Sequence, residues 1–284
     1  MAVQMRDLVM GALPELRVHP AEKWVRATVG DALVVSSRAA RLVWEPRRVV
    51  PAYAVPREDV EGELVPQDPT SETAGQEQPF SLDAGGPPVL DPRTPFSAHS
   101  CPGAPLTIRT ADGDLTGAAF APVDPDLAGY VVLDWKAFTQ WYEEDEPVMG
   151  HPHDPFDRID CLRSSRRVTV SAEGRVLAES TRATWLFETP LLVRYYFPRE
   201  DVAMELLEPS SLHTVCAYKG QASYWSARVG DQVLRNIAWT YEHPLHDALP
   251  VQDLVAFFTE RLDLTVDDVG RPRPVTPWSD AGPA

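Results

Sequence analysis

Cysteine is nearly missing from this chain: Cys101, Cys161 and Cys216 are the only three among 284 residues. They are isolated and odd in number, which excludes a disulfide framework and any CxxC metal or redox motif, so all three are expected to be reduced. Lysine is as scarce. Lys23, Lys136 and Lys219 are the only lysines among 26 basic residues, and 42 acidic residues leave a net charge of −16. That charge repels phosphate backbones and anionic bilayers, and no basic stripe offsets it, so neither nucleic acid nor membrane is an expected partner. No stretch approaches the roughly 20 apolar residues of a membrane helix, and no basic segment followed by an apolar run opens the chain. The expected address is cytoplasmic. Glycine-rich phosphate loops, a GxSxG elbow and HExxH are also absent, which argues against NTP use, a serine-hydrolase mechanism and a zincin. With no His pair at i,i+4, the best local metal candidates are His151 and His153 with Asp154. The expectation is no metal and no cofactor.

What is present is a repeat. Phe197-Pro198-Arg199-Glu200-Asp201-Val202 restates Val55-Pro56-Arg57-Glu58-Asp59-Val60 from 142 residues earlier, Leu186-Phe187-Glu188 answers Val43-Trp44-Glu45, and Tyr196 answers Tyr53. A period above 100 residues implies two domains of one fold rather than a solenoid. The 44% hydrophobic content is enough for each to bury its own core.

Residues 6 to 16 allow a short helix that ends at Pro14. Trp24 to Val29 alternates and turns at Gly30-Asp31 into Ala32 to Val35, a hairpin signal. The first domain is placed over 17–146, with a Pro/Gly-rich insertion at about 61–99 expected to be a long loop. Leu133, Ala137, Phe138, Trp141 and Tyr142 recur at helical spacing and predict a closing helix. Residues 147–165, with His151-Pro152-His153-Asp154-Pro155, are a linker stiffened by proline. The second domain is placed over 166–266, as short antiparallel strands with a loop over Glu208 to Gly220. A closing helix is expected with Val251, Leu254, Val255, Phe258 and Leu262 on one face. Residues 267–284 are expected to be a surface tail.

Five motifs in order then carry a family likeness: LeuPheGluThr at 186–189, ArgTyrTyrPheProArgGluAspVal at 194–202, CysAlaTyrLysGly at 216–220, SerTyrTrpSer at 223–226 and AlaTrpThrTyr at 238–241. Together they resemble the DUF427 family, in its two-copy actinobacterial form, over nearly the whole chain. The resemblance implies a mainly β protein of two tandem β-tent, or Mss4-like, domains. A nucleotidyltransferase label sometimes attached to the family finds no support in these residues, and the zinc knuckles of some β-tent proteins are absent. A few two-copy relatives lie in polyketide pathways, which makes spiroketal cyclisation a role that the resemblance suggests. Copy one departs from the pattern: its CysTyrLysGly loop is reduced to Cys101-Pro102-Gly103, and Ala119-Phe120-Ala121 stands where copy two has the TrpThrTyr strand. Copy two is therefore expected to hold the site.

Glu188, Tyr218 and Lys219 are the candidate catalytic residues, because a carboxyl near phenols and a cation can do acid–base work. Tyr196, Arg199, Asp201, Tyr224, Trp225, Trp239 and Tyr241 are candidates to bind substrate. A plainer reading competes at each. Arg199 with Glu188 or Asp201 can be an ion pair that locks a strand corner, as the repeat of ProArgGluAsp in both copies suggests, and most of the rings can be core. Cys216, near His213 and Lys219, is read as a small buried residue at a turn rather than a thiolate nucleophile. The expected function is cofactor-independent acid–base chemistry, such as cyclisation, dehydration or isomerisation, on a small apolar oxygenated molecule held in the second domain or between the two. An enzyme of this kind would be a cyclase, isomerase or lyase of secondary metabolism. The alternative is a non-catalytic module that binds a small molecule or peptide. The sequence leaves the oligomeric state open.

Overall fold

The structure is a computed structural model that describes residues 2–67, 88–188 and 191–279. Its described residues form two compact units, one up to Asp154 and one from Pro155 onward. After a helix α1 (Met5–Gly11), the first unit contains β1 (Arg17–Pro20), β2 (Val25–Val29), β3 (Ala32–Ser37), β4 (Arg41–Trp44), β5 (Ala52–Pro56), β6 (Glu63–Pro66), β7 (Gly103–Thr110), β8 (Gly113–Pro122), β9 (Tyr130–Leu133), β10 (Gln140–Glu143) and β11 (Glu146–Val148). The second unit contains β12 (Ile159–Arg163), β13 (Val168–Ala172), β14 (Arg175–Ser180), β15 (Thr184–Glu188), β16 (Arg194–Phe197), β17 (Leu207–Cys216), β18 (Gly220–Val229), β19 (Gln232–Thr240), β20 (Val255–Phe257), β21 (Asp263–Val266) and β22 (Val269–Arg271).

The two units share one topology. A seven-stranded sheet runs β1-β4-β5-β9-β8-β7-β6 in the first and β12-β15-β16-β20-β19-β18-β17 in the second. A four-stranded sheet runs β11-β10-β2-β3 and, equivalently, β22-β21-β13-β14. Every ladder is antiparallel, and two of the irregularities recur: the register shifts at Leu106/Ile108 and at Trp225/Ala227 occupy equivalent places, as do those at Ala27/Thr28 and Val170/Ser171, whereas the shift at Pro209/His213 is confined to the second unit. A bulge adds a residue and bends its strand, so its recurrence means that both sheets curve at the same point.

The register settles which residues correspond. Leu42 pairs with Tyr53 and Trp185 with Tyr195, while Ala54 pairs with Val132 and Tyr196 with Ala256. Tyr195, not Tyr196, therefore answers Tyr53, and Tyr196 stands where the first unit has Ala54. Phe120, opposite Pro105, likewise answers Trp239, opposite Tyr224, one position on from the match of Ala119-Phe120-Ala121 to TrpThrTyr.

The central strands of each large sheet are largely buried on both faces. In β5, Tyr53 and Val55 face a core shared with Val25, Val35 and Trp141, whereas Ala54 packs on the other side with Val43, Phe120 and Val132. Successive residues of a strand point to opposite faces, so a run such as Tyr53-Ala54-Val55 is apolar throughout. This explains the two helices that the spacing predicts and the fold lacks. Leu133 ends β9, Asp134 accepts the Lys136 amide at 3.0 Å to start a 3-10 turn (Trp135–Ala137), and Trp141 and Tyr142 lie in β10. In the second unit, a 3-10 segment (His246–Val251) that contains Pro250 leads into β20, whose three residues are all buried, and Leu262 precedes β21. Apolar side chains from two strands and a crossover imitate a 3.6-residue period when both sheet faces are covered.

Other expectations also change. Of the insertion, β6 and residues 88–99 are built into the first unit, with Val89 buried; residues 68–87 fall outside the described set. Glu208 to Cys216 is a strand, not a loop. The supposed surface tail begins with strand β22, and Trp278 packs against the second core.

Candidate functional site

The outer face of the larger sheet, the face of Val43, Glu45, Ala52 and Ala54, carries the polar groups in both units. In the second unit this face bears Leu186, Glu188, Arg194, Tyr196 and Trp239, all buried. Lys219 Nζ donates to both oxygens of Glu188, at 2.6 and 2.5 Å, with under a tenth of either side chain exposed. Burial works against the Lys219 charge, but the Glu188 carboxylate overrides it and raises the pKa above the ordinary lysine value. The Trp239 indole donates to Tyr196 Oη at 3.1 Å, and burial pushes that phenol up. Arg194 donates twice to Glu260 at 2.7 Å, a fork-to-fork pair.

The sequence-predicted residues divide on this map. Glu188, Lys219, Tyr196 and Trp239 come together, and Tyr218, Tyr224 and Tyr241 are buried in the same core. Tyr224 exchanges a hydrogen bond of 2.9 Å with Thr214. Trp225 is half-buried on the opposite side of β18, with the Arg199 guanidinium 5.3 Å from its ring. Arg199 forms no pair with Glu188 or Asp201; its Nε donates to the Asp253 carbonyl at 3.3 Å. Asp201 instead accepts from Ser180 Oγ at 2.7 Å and from Arg182 at 2.9 and 2.8 Å, which ties the end of β14 to the corner. The corner is thus held by Asp201 and a residue that sequence reasoning overlooked. Arg199→Ala is accordingly expected to cost only about 0.5–1 kcal/mol, the worth of a partly exposed cation–π contact, and Asp201→Ala to lower the melting point more than Arg199→Ala does. Thermal unfolding of the two variants checks the order.

The first unit places a carboxylate at the same point. Glu45 directly follows β4, at the position that Glu188 takes as the last residue of β15, and it is held by His99 Nδ1 at 3.0 Å and the Ser100 amide at 2.7 Å instead of a lysine. Burial alone would raise the Glu45 carboxyl, but the bonds from His99 and Ser100 keep it below its usual value. Cys101, on the same carboxylate at 3.8 Å, has its thiol pushed up to about 12 by burial and by Glu45. A thiol so protonated is a poor nucleophile.

Beside Glu45 the first unit opens a cleft of about 90 Å³. Ala52 leaves it room, and Val43, Tyr53, Phe96, Trp135 and Trp141 give it an apolar wall; Arg48, Asp134, Lys136 and His151 supply its polar rim. Trp135 and Trp141 stack at 5.1 Å and 10°, with Tyr53 5.3 Å from Trp141. Arg48 is engaged elsewhere, bonding the carbonyls of Pro95 at 2.8 Å and Ala98 at 3.0 Å, and so ties residues 94–98 to this edge of the cleft. Burial raises the Asp134 carboxyl above its ordinary value, against the Lys136 amide and charge, which lower it. Sequence reasoning missed this cleft. Its signals were the match of Glu45 to Glu188 and the HisProHis linker that brings His151 to it.

His151 Nδ1 lies 2.8 Å from the Pro152 carbonyl and His153 Nδ1 3.2 Å from Glu143, so the linker histidines are placed by their own neighbourhood. Among the described residues, no group of three or more His, Cys, Asp and Glu is arranged to hold a metal ion, and no helix is long and apolar enough to cross a membrane. Residues 160–268 match the family model described as a domain of unknown function, DUF427. No curated protein matches the chain.

Proposed function

We propose that this chain, whose residues 160–268 belong to the DUF427 family, takes the end of a small, largely apolar oxygenated molecule into the cleft of its first unit. The observation that carries the reading is the meeting of a stacked Trp135–Trp141 wall with the Asp134 carboxyl in one open cleft. Apolar walls with a few convergent polar groups are the usual form of a small-molecule site. A volume near 90 Å³ suits a ring or a short chain end, not a whole large ligand.

A carboxyl that burial biases toward its protonated form is suited to general acid work. In a dehydrative cyclisation, Asp134 would protonate a leaving hydroxyl and water would depart. An internal hydroxyl of the substrate would then add to the oxocarbenium carbon, and its proton would return to the Asp134 carboxylate. Spiroketal closure is one reaction of this class. In the second unit, Glu188 and Lys219 would hold the equivalent sheet end, and take up proton transfer only on parting. The competing reading is a binding module without chemistry, which the small cleft volume favours.

Ala52→Leu separates these ideas from none at all. The larger side chain fills the cleft and should weaken ligand binding at least tenfold, with stability within about 1.5 kcal/mol of the parent. A thermal-shift screen of metabolites, with quenching of tryptophan fluorescence as a second signal, identifies ligands of the parent. Ligands that bind Ala52→Leu equally well would place the site elsewhere. Asp134→Asn then distinguishes catalysis from binding: product formation should fall at least a hundredfold with affinity kept, whereas a parent that binds and forms no product is a binder.

A further inference from the structure

The cleft of the first unit has a filled counterpart in the second. Val43–Ala52 and Leu186–Arg194 are matched cross-strand pairs, so Arg194 stands where the first unit has Ala52. The Asp134 and Phe258 amides both donate at 2.9 Å to equivalent carbonyls, of Ala118 and Ile237, so Phe258 answers Asp134 and Glu260 answers Lys136. Where the first unit is open, the second has the Arg194–Glu260 pair beside the rings of Trp239 and Phe258, which lie 4.5 Å from each other and 5.4 and 5.6 Å from the guanidinium.

The chain that follows β22 comes back over this pair. Thr276 Oγ1 donates to Glu260 Oε1 at 3.0 Å, and the Trp278 ring lies 5.8 Å from the Arg194 guanidinium, packed against the core. Pro274 to Ser279 is folded on itself to make this presentation: the Trp278 amide donates to Thr276 Oγ1 at 3.2 Å, the Thr276 amide to Ser279 Oγ at 2.9 Å, and Ser279 Oγ to the Pro274 carbonyl at 3.2 Å. A segment that merely covered apolar surface would need none of this. Here an aromatic face meets a cation and a hydroxyl meets a fully buried carboxylate, which are the contacts of ligand recognition.

We propose that the second unit holds its own binding cleft, for an aromatic group that carries a hydrogen-bond donor, and that Pro274–Ser279 is the tethered occupant of that cleft. Arg194 reads the π face and Glu260 the donor. A short tether keeps the segment at an effective concentration in the millimolar range, so a free ligand competes poorly until the segment is weakened or displaced. The inference stands on contacts within the second unit alone, and a first-unit cleft that binds nothing leaves it intact.

The probe is the acetylated and amidated hexapeptide with the sequence of residues 274–279. The double variant Thr276→Ala, Trp278→Ala should bind it in trans, with an affinity at least a hundredfold above that of the parent protein, and the further change Arg194→Met should abolish the binding. A folded double variant that does not bind the peptide overturns the proposal, as does binding that survives Arg194→Met. If the double variant fails to fold, the parent is used instead. Saturating peptide should raise the rate of chymotryptic cleavage after Trp278 at least tenfold by displacing the segment, and an unchanged rate overturns the proposal equally.

Discussion

A Lys219→Met protein should lose about 3–5 kcal/mol of stability in its second unit, the penalty for leaving one half of a buried ion pair without its partner. Lys219 and Glu188 each expose under a tenth of their side chains, and Nζ reaches both carboxylate oxygens. Removing the cation leaves Glu188 buried near the Tyr196 and Tyr241 phenols, with no other cation bonded to it among the described contacts. The double variant Lys219→Met, Glu188→Gln should recover a large part of the loss, because it removes both charges together. Denaturant titration of the three variants gives the coupling directly. The opposite result is equally clear: a Lys219→Met protein as stable as its parent, but unable to bind ligand or turn it over, would make Lys219 a working member of a site and not the tie between β15 and the β17–β18 turn.

The second large effect is an acid-sensitive tie in the first unit. Glu143 at the end of β10 is bonded by Lys23, by the Tyr53 hydroxyl and by His153, at 3.2 Å for the last. Burial would raise its carboxyl, but the bonds from His153, Lys23 and Tyr53 outweigh burial and hold the pKa down to about 2, against an ordinary value of 4.5. A depressed carboxyl pKa contributes stability that is complete above the unfolded value and is lost as the pH falls through the folded one. The contribution, about 3 kcal/mol for a carboxyl held that far below its ordinary value, should therefore be whole at pH 6 and should drain away between about pH 4.5 and 2. Glu143→Gln should be less stable than the parent at pH 6 and should lose less on acidification. Urea midpoints measured at intervals across that range decide it. A variant whose midpoints fall as steeply as the parent's would show that other carboxylates carry the acid response.

Much of this protein could be read along the chain. The ProArgGluAsp repeat and the Glu45–Glu188 match are local strings, and they announced two units of one fold because a duplicated sequence must meet the same backbone demands twice. Hairpins such as β2–β3, turning at Gly30-Asp31, were legible for the same reason: Gly30 adopts a φ of +57°, which few other residues tolerate. The closing helices were misread because β9 and β20 are covered on both faces, and alternation, the one signal that separates strand from helix in a short apolar run, is then erased.

Composition and repetition by themselves determined an acidic, two-unit chain without paired cysteines, and strand alternation with the resemblance to DUF427 made it mainly β. Only the tertiary structure decided what each polar residue does. Arg199 and Asp201 are two positions apart, and the sequence allowed Arg199 to pair with Asp201 or with Glu188, yet the 3-10 turn at the corner sends Arg199 toward Trp225 and Asp201 toward Arg182. Glu260 gave no sign of its importance, for its partners Arg194 and Thr276 lie 66 and 16 residues away. Whether the sheet face is open beside Ala52 or closed beside Arg194 depends on the volume of one side chain and on which distant segment returns to cover it. Packing of that kind is a relation between residues far apart in sequence, so no local pattern encodes it.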